Sequence, residues 1–360
     1  MMNGSDQLNR SVETDILAEA ANAQFRAADF LGPGVLRAVA PAKVNLFLGI
    51  GERREDGLHQ AVTVMHTLSM HDTVYVNALP LSASASDEAA AAVEQGSTKL
   101  AFGGPGGSML VSIDLVDKTS SLFATTEPLQ VRAEDNLCFK AVDRLAQACG
   151  RLAPEQVRIR LEKHVPAQAG LGGGSSDAAA VLVCLAKLWE MDDDRLLQEV
   201  AKGLGADVPF FLKGGCALLN GAGEHFVRSL TPANTPLVVV KPSFGVATAA
   251  AYSAFDDDPL LPPEGLLAQA EAAQAAGEAP LFNNLTKAAE QVCPDLVNVR
   301  EWLTSQRGIY ADRVLMSGSG SAFFAEAESF AEASRVAAAA QQEGLWARAT
   351  SFSKLRAQVV

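Results

Sequence analysis

The chain has 360 residues, 48% hydrophobic and 20% charged, the composition of a folded protein long enough for two domains or one large one. Its net charge of −13 argues against nucleic acid or an anionic membrane surface as a bulk partner. A small phosphate ligand stays open, because a nest of backbone N–H groups binds an anion on an acidic protein too.

Five cysteines (Cys138, Cys149, Cys184, Cys216, Cys293) form no C-x-x-C pair, so reduced thiols in a cytoplasmic protein are expected rather than disulfides or zinc. His66 and His71 are wrongly spaced for ligands on one helix face, and no metal site is expected. No apolar run approaches the roughly 20 residues of a membrane span. Residues 1–36 carry Asp6, Glu13, Asp15, Glu19 and Asp29 against Arg10 and Arg26. That balance is wrong for a transit peptide, and the segment reads as an N-terminal extension with no assigned role.

In chain order, "VLRAVAPAKVNLFLGIG" (35–51) alternates like strand, "ERREDGLHQ" is a turn with Asp56-Gly57 at its tip, and "AVTVMHTLSMHDTVYVNAL" predicts two more strands. Residues 82–108, rich in Ser, Ala and Gly and including "GGPGG", are expected to be an inserted mobile loop. A helix is predicted over 136–150, closing at Gly150, then a strand in "QVRIRLEKHVP". Helices follow from about Ser176 to Trp189 and from Asp193 to about Leu204, and "GADVPFFLKGGCALLNGAGEHFVRSL" reads as a turn and a hairpin. "TPANTP" (231–236) is the best domain boundary. Beyond it come a strand ("LVVVKPS"), an Ala-rich helix within a Pro- and Asp-rich loop, and a strand-turn-strand at "VLMSGSGSAFFAEA". Helices and strands mix without regular βαβ alternation, so the class is α+β. Two "DDD" runs, at 192–194 and 256–258, fit helix capping and solvated loop better than metal binding.

The stretch that points to function is "AGLGGGSSDAAAVLVCLAKLW", from Ala169. It contains no Walker A string, and the dinucleotide fingerprint fails at Ser175. What remains is a strand, Pro166, a glycine-rich loop and a helix whose first N–H groups face whatever the loop wraps. On this stretch alone, a phosphate cradle and an ordinary glycine-rich helix start are both open.

Read together, "PAKVNLFLGI", the glycine loop, "LGADVPFFLKGG" and "SGSG" resemble the signatures of the GHMP small-molecule kinases, in the right order over roughly residues 38–330. Within that superfamily "PAKVNL" followed by "DGLH", with "FNNL" at 282–285, is most similar to the 4-diphosphocytidyl-2-C-methyl-D-erythritol kinase family. The resemblance implies a two-domain GHMP-kinase fold, with an ATP-binding N-terminal domain (37–230) and a ferredoxin-like C-terminal domain (237–360) on the substrate side. It also implies ATP with Mg2+, a cytidyl diphosphate sugar alcohol as substrate, and a monomer or homodimer that binds neither nucleic acid nor membrane.

By the same resemblance, Asp207 of "GADVP" is the base or orienter of the acceptor hydroxyl, and Lys43 of "PAKVNL" stabilises charge on the transferred phosphoryl. An ammonium beside a carboxylate keeps the latter ionised, which supports the pairing on physical grounds. Taken singly, Asp207 also suits a turn before Pro209, and Lys43 a surface position. Asn136 and Lys163 match positions around the adenosine. The run Pro166, Ala167, Gln168, Ala169, Gly170, Leu171, Gly172, Gly173, Gly174, Ser175 and Ser176 matches the phosphate loop. Asn45, on the same side of its strand as Lys43, is expected to bond phosphate or substrate. His59 matches a histidine that reads cytosine, and Tyr252 matches the aromatic on the other side of the base, with Thr248 nearby. The base-stacking tyrosine of the family is Leu58 here, which removes one aromatic face. The rival readings are a GHMP kinase for homoserine, mevalonate or a sugar, a silent metabolite-binding relative, and a nicotinamide oxidoreductase.

Overall fold

The structure, a computed structural model, describes residues 31–55, 57–80, 98–104, 107–119, 135–151 and 155–360. Its first part runs β1 (Leu36–Arg53), β2 (His59–Pro80), β3 (Thr98–Gly104), β4 (Gly107–Asp117), α1 (Leu137–Ala148), β5 (Glu155–Lys163), α2 (Gly173–Leu188), α3 (Asp194–Leu204), α4 (Val208–Lys213), β6 (Cys216–Asn220) and β7 (His225–Leu230). The second runs β8 (Pro236–Lys241), α5 (Thr248–Asp257), α6 (Glu264–Ala272), β9 (Phe282–Asn283), α7 (Leu285–Val292), α8 (Asp295–Thr304), β10 (Ile309–Met316), β11 (Phe323–Ala327), α9 (Phe330–Gln342), β12 (Trp346–Ser351) and β13 (Gln358–Val359).

The first sheet has nine strands in the order β13-β1-β2-β5-β4-β3, with β6 on β2, β7 on β6, and β9 parallel to β1. Strands β9 and β13 come from beyond the connector, so the C-terminal part of the chain returns twice to the N-terminal sheet. Helix α2 packs on β1 and β2, and its Ala178–Leu182 run is fully buried against Ala38, Val74 and Val76. Small side chains let helix and sheet approach closely, which is why an Ala-rich segment is here core rather than surface.

The second sheet orders β10-β11-β8-β12, every pair antiparallel. Numbered along the chain as 1 to 4, these strands read 4-1-3-2 from β12. This is the ferredoxin-like arrangement of two interlocked split βαβ units. Strand β8 reads "PLVVVK" without alternation because both its faces are covered: Leu237 and Val239 join the core between the sheets, Val238 and Val240 the core beneath α7–α9. The expected α+β class and ferredoxin-like second part hold.

Three details differ from the sequence reading. Residues 59–80 form one 22-residue strand, not two, because register shifts absorb the irregularity without ending the pairing. Part of the expected loop at 82–108 is strand: β3 and β4 pair from Thr98↔Ile113 to Gly104↔Gly107. Residues 82–97 and 105–106 of it, and 1–30 of the proposed extension, lie outside the described residues. The turn in "GADVPFFLKGG" contains the short helix α4, which buries Phe210 and Phe211. No helix among the described residues is long and apolar enough to cross a membrane.

Candidate active site

The loop after Pro166 is shaped by what it must pass. Gln168, Gly170 and Gly172 adopt φ of 51°, 71° and 70°. A Cβ on Gly170 would strike the Ser317 carbonyl, and one on Gly172 would stand 2.7 Å from Phe211 Cζ, so glycine is required at both. Helix α2 starts at Gly173, leaving its first N–H groups without intrahelical acceptors, aimed into the surrounding space. A Cβ on Gly174 would meet nothing within 4 Å: that glycine answers to no neighbour in the chain and opens onto a cavity.

Two cavities share this loop. One, of about 340 Å3, is lined by Asn136, Lys163 and the 166–175 run. The other, of about 640 Å3, is lined by Lys43, Asn45, Asp207, Thr248, Tyr252 and the turn Gly318–Gly320. Gln168, Gly170, Gly172 and Ser175 face both, so the loop is the partition between them.

Lys43 and Asn45 are brought into the larger cavity by β1. Register shifts at Pro41/Lys43 and Asn45/Phe47 bracket the two residues, locally re-aiming the strand. The Lys43 N–H donates to the Leu171 carbonyl (3.0 Å), tying strand to loop. Lys43 is 3% exposed, and its ammonium donates to Asn45 Oδ1 (2.7 Å) and lies 3.5 Å from Asp207 Oδ2. Asn45 Nδ2 donates to Thr63 Oγ1 (2.9 Å), which donates to the Phe47 carbonyl (2.7 Å), so the amide's orientation is fixed. Asp207 occupies the N-cap position of α4 yet makes no capping bond, and its side chain is 30% exposed. The carboxylate is thus committed to Lys43 and the cavity rather than to its own helix. Tyr252, on the same wall, has its phenol pushed up to about 12 by burial and by the Asp207 charge, so it stays protonated.

The structure redraws other expected contacts. The Lys163 ammonium forms buried ion pairs with Asp72 and with Asp177 Oδ2 (2.5 Å for the latter). Burial opposes its charge, but the two carboxylates prevail and raise its pKa. Burial, reinforced by the Asp72 charge, drives Asp177 up to about 7 despite Lys163. Lys163 therefore stands at the cavity wall with its charge already neutralised. Asn136 caps α1, accepting from the Cys138 N–H (2.9 Å) while lining the smaller cavity. Ser176 is fully buried and lines neither cavity, whereas Ser175 lines both. His59 is buried behind the larger cavity, its Nε2 donating to Asp256 Oδ1 (2.6 Å) and its ring 5.3 Å from Tyr252. Leu58 is 54% exposed. Thr248 meets Ser319 (3.0 Å), closing α5 onto the 318–320 turn.

Sequence reasoning gave no role to Asn283, Asn284 or Asp72. Asn283 Nδ2 donates to the carbonyls of Met316 (2.9 Å) and Gly318 (2.8 Å), and Asn284 brackets Ile50 with two bonds. Two adjacent asparagines in an apolar context and a lone Asp in "LSMHDTVYV" are the signals that could have found them: buried polar groups need partners.

Residues 136–215 match the GHMP kinases N terminal domain and residues 265–344 the GHMP kinases C terminal domain. The chain belongs to the GHMP kinases. Its sequence relatives narrow the class to one branch: the 4-diphosphocytidyl-2-C-methyl-D-erythritol kinase of Thermus thermophilus is 37% identical over 86% of this chain and 94% of its own length. That of Polaromonas sp. is also 37% identical, over 79% and 81%. A crystal structure of 4-(cytidine 5'-diphospho)-2C-methyl-D-erythritol kinase superposes with a TM-score of 0.63 at 33% identity, covering 88% of this chain and all of that one. Homoserine kinase from Cytophaga hutchinsonii, at 17% identity and a TM-score of 0.62, shares the fold alone.

Proposed function

We propose that this chain transfers the γ-phosphoryl of ATP to the 2-hydroxyl of 4-diphosphocytidyl-2-C-methyl-D-erythritol, in the assembly of isoprenoid precursors. The observation that carries the site assignment is the Lys43–Asp207 pair in a cavity partitioned from a second one by the glycine loop. Residues 37–230 hold the nucleotide in the smaller cavity, with its phosphates along the loop and its γ-phosphoryl turned toward Lys43. Residues 237–360 supply Thr248, Tyr252 and the 318–320 turn on the acceptor's side.

The acceptor oxygen attacks the γ-phosphorus as the bond to the bridging oxygen breaks and ADP leaves. Asp207 holds the hydroxyl in line and takes its proton, which passes to solvent. Lys43 offsets charge on the transferred group, and Asn45 fixes the ammonium. Most of the rate gain comes from positioning and charge. The donors present suit Mg2+: Ser175 and Asp207 offer oxygen to the shared cavity, and an ion carried by nucleotide phosphates needs few protein ligands. Those two residues would hold it, and it would neutralise phosphate charge. All five cysteines are free thiols, which supports a reducing, cytoplasmic setting.

The test is ADP release with ATP and a panel of acceptors: the cytidyl diphosphate, the sugar-alcohol phosphate lacking the cytidyl group, homoserine and mevalonate. Turnover confined to the cytidyl diphosphate is expected. Faster turnover of another acceptor overturns the substrate, and none with any acceptor overturns the kinase reading.

A further inference from the structure

A third cavity, of about 350 Å3, opens where β2 meets β12, and none of its lining residues lines either cavity of the reaction site. Ser69, Met70 and His71 of β2, His164 just past β5, Phe330 at the start of α9 and Arg348 of β12 form its walls. Its floor is built: Thr350 Oγ1 bonds Ser69 Oγ (2.9 Å) and accepts from the Met70 N–H (3.1 Å). The hollow therefore belongs to both sheets at once, the kind of junction where small ligands bind.

Its charge runs against that of the whole molecule. On a chain of net charge −13, Arg348 has no carboxylate partner among the described residues. The guanidinium lies over the Trp346 ring (5.8 Å) and reaches the Ala347 carbonyl at 3.5 Å. His71 Nδ1 donates to the Ser69 carbonyl (2.8 Å), so its Nε2 is the nitrogen left for a ligand. The neighbouring carboxylates are already committed. Asp72 takes the Lys163 ammonium and the N–H groups of His164 (2.5 Å) and Val165 (2.8 Å). Glu162 is held by Lys118 (3.0 Å) and Arg160 (3.4 Å). Beside Arg348 and the two imidazoles, Phe330 is 54% exposed, an unusual amount of apolar surface at a polar hollow.

We propose that this junction cavity is a second ligand site, which binds a phosphate monoester with an apolar body: the phosphate against Arg348, His71 and His164, the carbon skeleton against Phe330 and Met70. A planar guanidinium reads phosphate by paired hydrogen bonds, and the free Nε2 of His71 can accept from the P–O–H of the ester monoanion. The volume suits such an ester.

Phenyl phosphate is the probe, and the enzyme is kept saturated with a non-hydrolysable ATP analogue so that the reaction site is filled. The chain has five histidines, so imidazole 1H–15N spectra report on each site separately. The His71 and His164 signals should move saturably while those of His66 and His225 stay. Arg348→Ala should weaken binding by about tenfold or more, with Arg348→Lys intermediate. Phe330→Ala should weaken phenyl phosphate but not inorganic phosphate. Neither variant should alter ATP turnover without the probe, so failure here leaves the kinase reading standing. Static His71 and His164 signals at millimolar probe, or equal affinity in Arg348→Ala, overturn the proposal.

Discussion

Asp207 and Gly174 both escape the usual local explanations. An aspartate at a helix start ordinarily caps it, and this one does not; its carboxylate faces an ammonium 3.5 Å away across the cavity. Asp207→Asn keeps the shape and removes the carboxylate proposed as base. Turnover should fall by about 10²–10⁴-fold while ATP affinity, followed by calorimetry, is kept. Wild-type turnover in this variant would remove Asp207 from the chemistry. Glycines in the loop divide by cause. Gly170 is boxed in by the Ser317 carbonyl at positive φ, so Gly170→Ala should destabilise the fold outright. A methyl on Gly174 touches no neighbour and favours the helix by up to about 1 kcal/mol. Gly174→Ala should thus keep or raise the melting temperature yet raise KM for ATP several-fold, because the methyl fills nucleotide space. An unchanged KM would place the phosphates elsewhere.

At the scale of elements, local signals were readable where they were strong. The 3.6-residue period of α1 and its closing Gly150, the glycine loop before α2, and the unbroken "LVVV" of β8 each say what they become. Two kinds of information were hidden. Strand continuity through 59–80 depends on partners on both sides, since β2 pairs with β1, β5 and β6, and no local pattern records that. Polar residues acting across the fold were also silent: Lys163 looks like a ligand-facing cation until Asp72, 91 positions earlier, is seen to neutralise it. Asn283 is the sharpest case. One amide joins β9 to the 316–318 turn, and that turn presses against Gly170 of the glycine loop. Asn283→Ala leaves two buried carbonyls without that donor and should cost about 1–3 kcal/mol in urea unfolding. The loosened turn should lower kcat/KM for both substrates by roughly 10²-fold, the penalty for ångström-scale misplacement. A variant that loses stability but keeps kcat/KM would confine Asn283 to a structural role.

The whole molecule depends on how two sheets are joined, and one histidine sits at the join. His66, on β2 and fully buried, donates through Nδ1 to the Thr67 carbonyl (2.9 Å) and accepts at Nε2 from the Ala233 N–H (2.9 Å) in the connector between β7 and β8. Only the neutral ring can do both. Burial lowers its pKa from 6.5 to about 4, outweighing the Thr67 bond. Between those two values the unfolded chain binds a proton that the folded chain refuses. The contribution of His66 is therefore complete above pH 6.5 and is lost as pH falls toward 4. The linked free energy is about 3 kcal/mol over that window. Asp177 works in the opposite sense: its carboxyl is raised from 3.8 to about 7, so it favours the folded state more as pH falls across the same range. A wild-type stability curve sums the two, and only a difference isolates the histidine. His66→Gln cannot take up the proton, so urea unfolding of wild type and variant at pH 7 and pH 4.5 should give a stability gap that shrinks by about 2–3 kcal/mol on acidification. A gap independent of pH would mean that the join between the sheets does not rest on an uncharged His66.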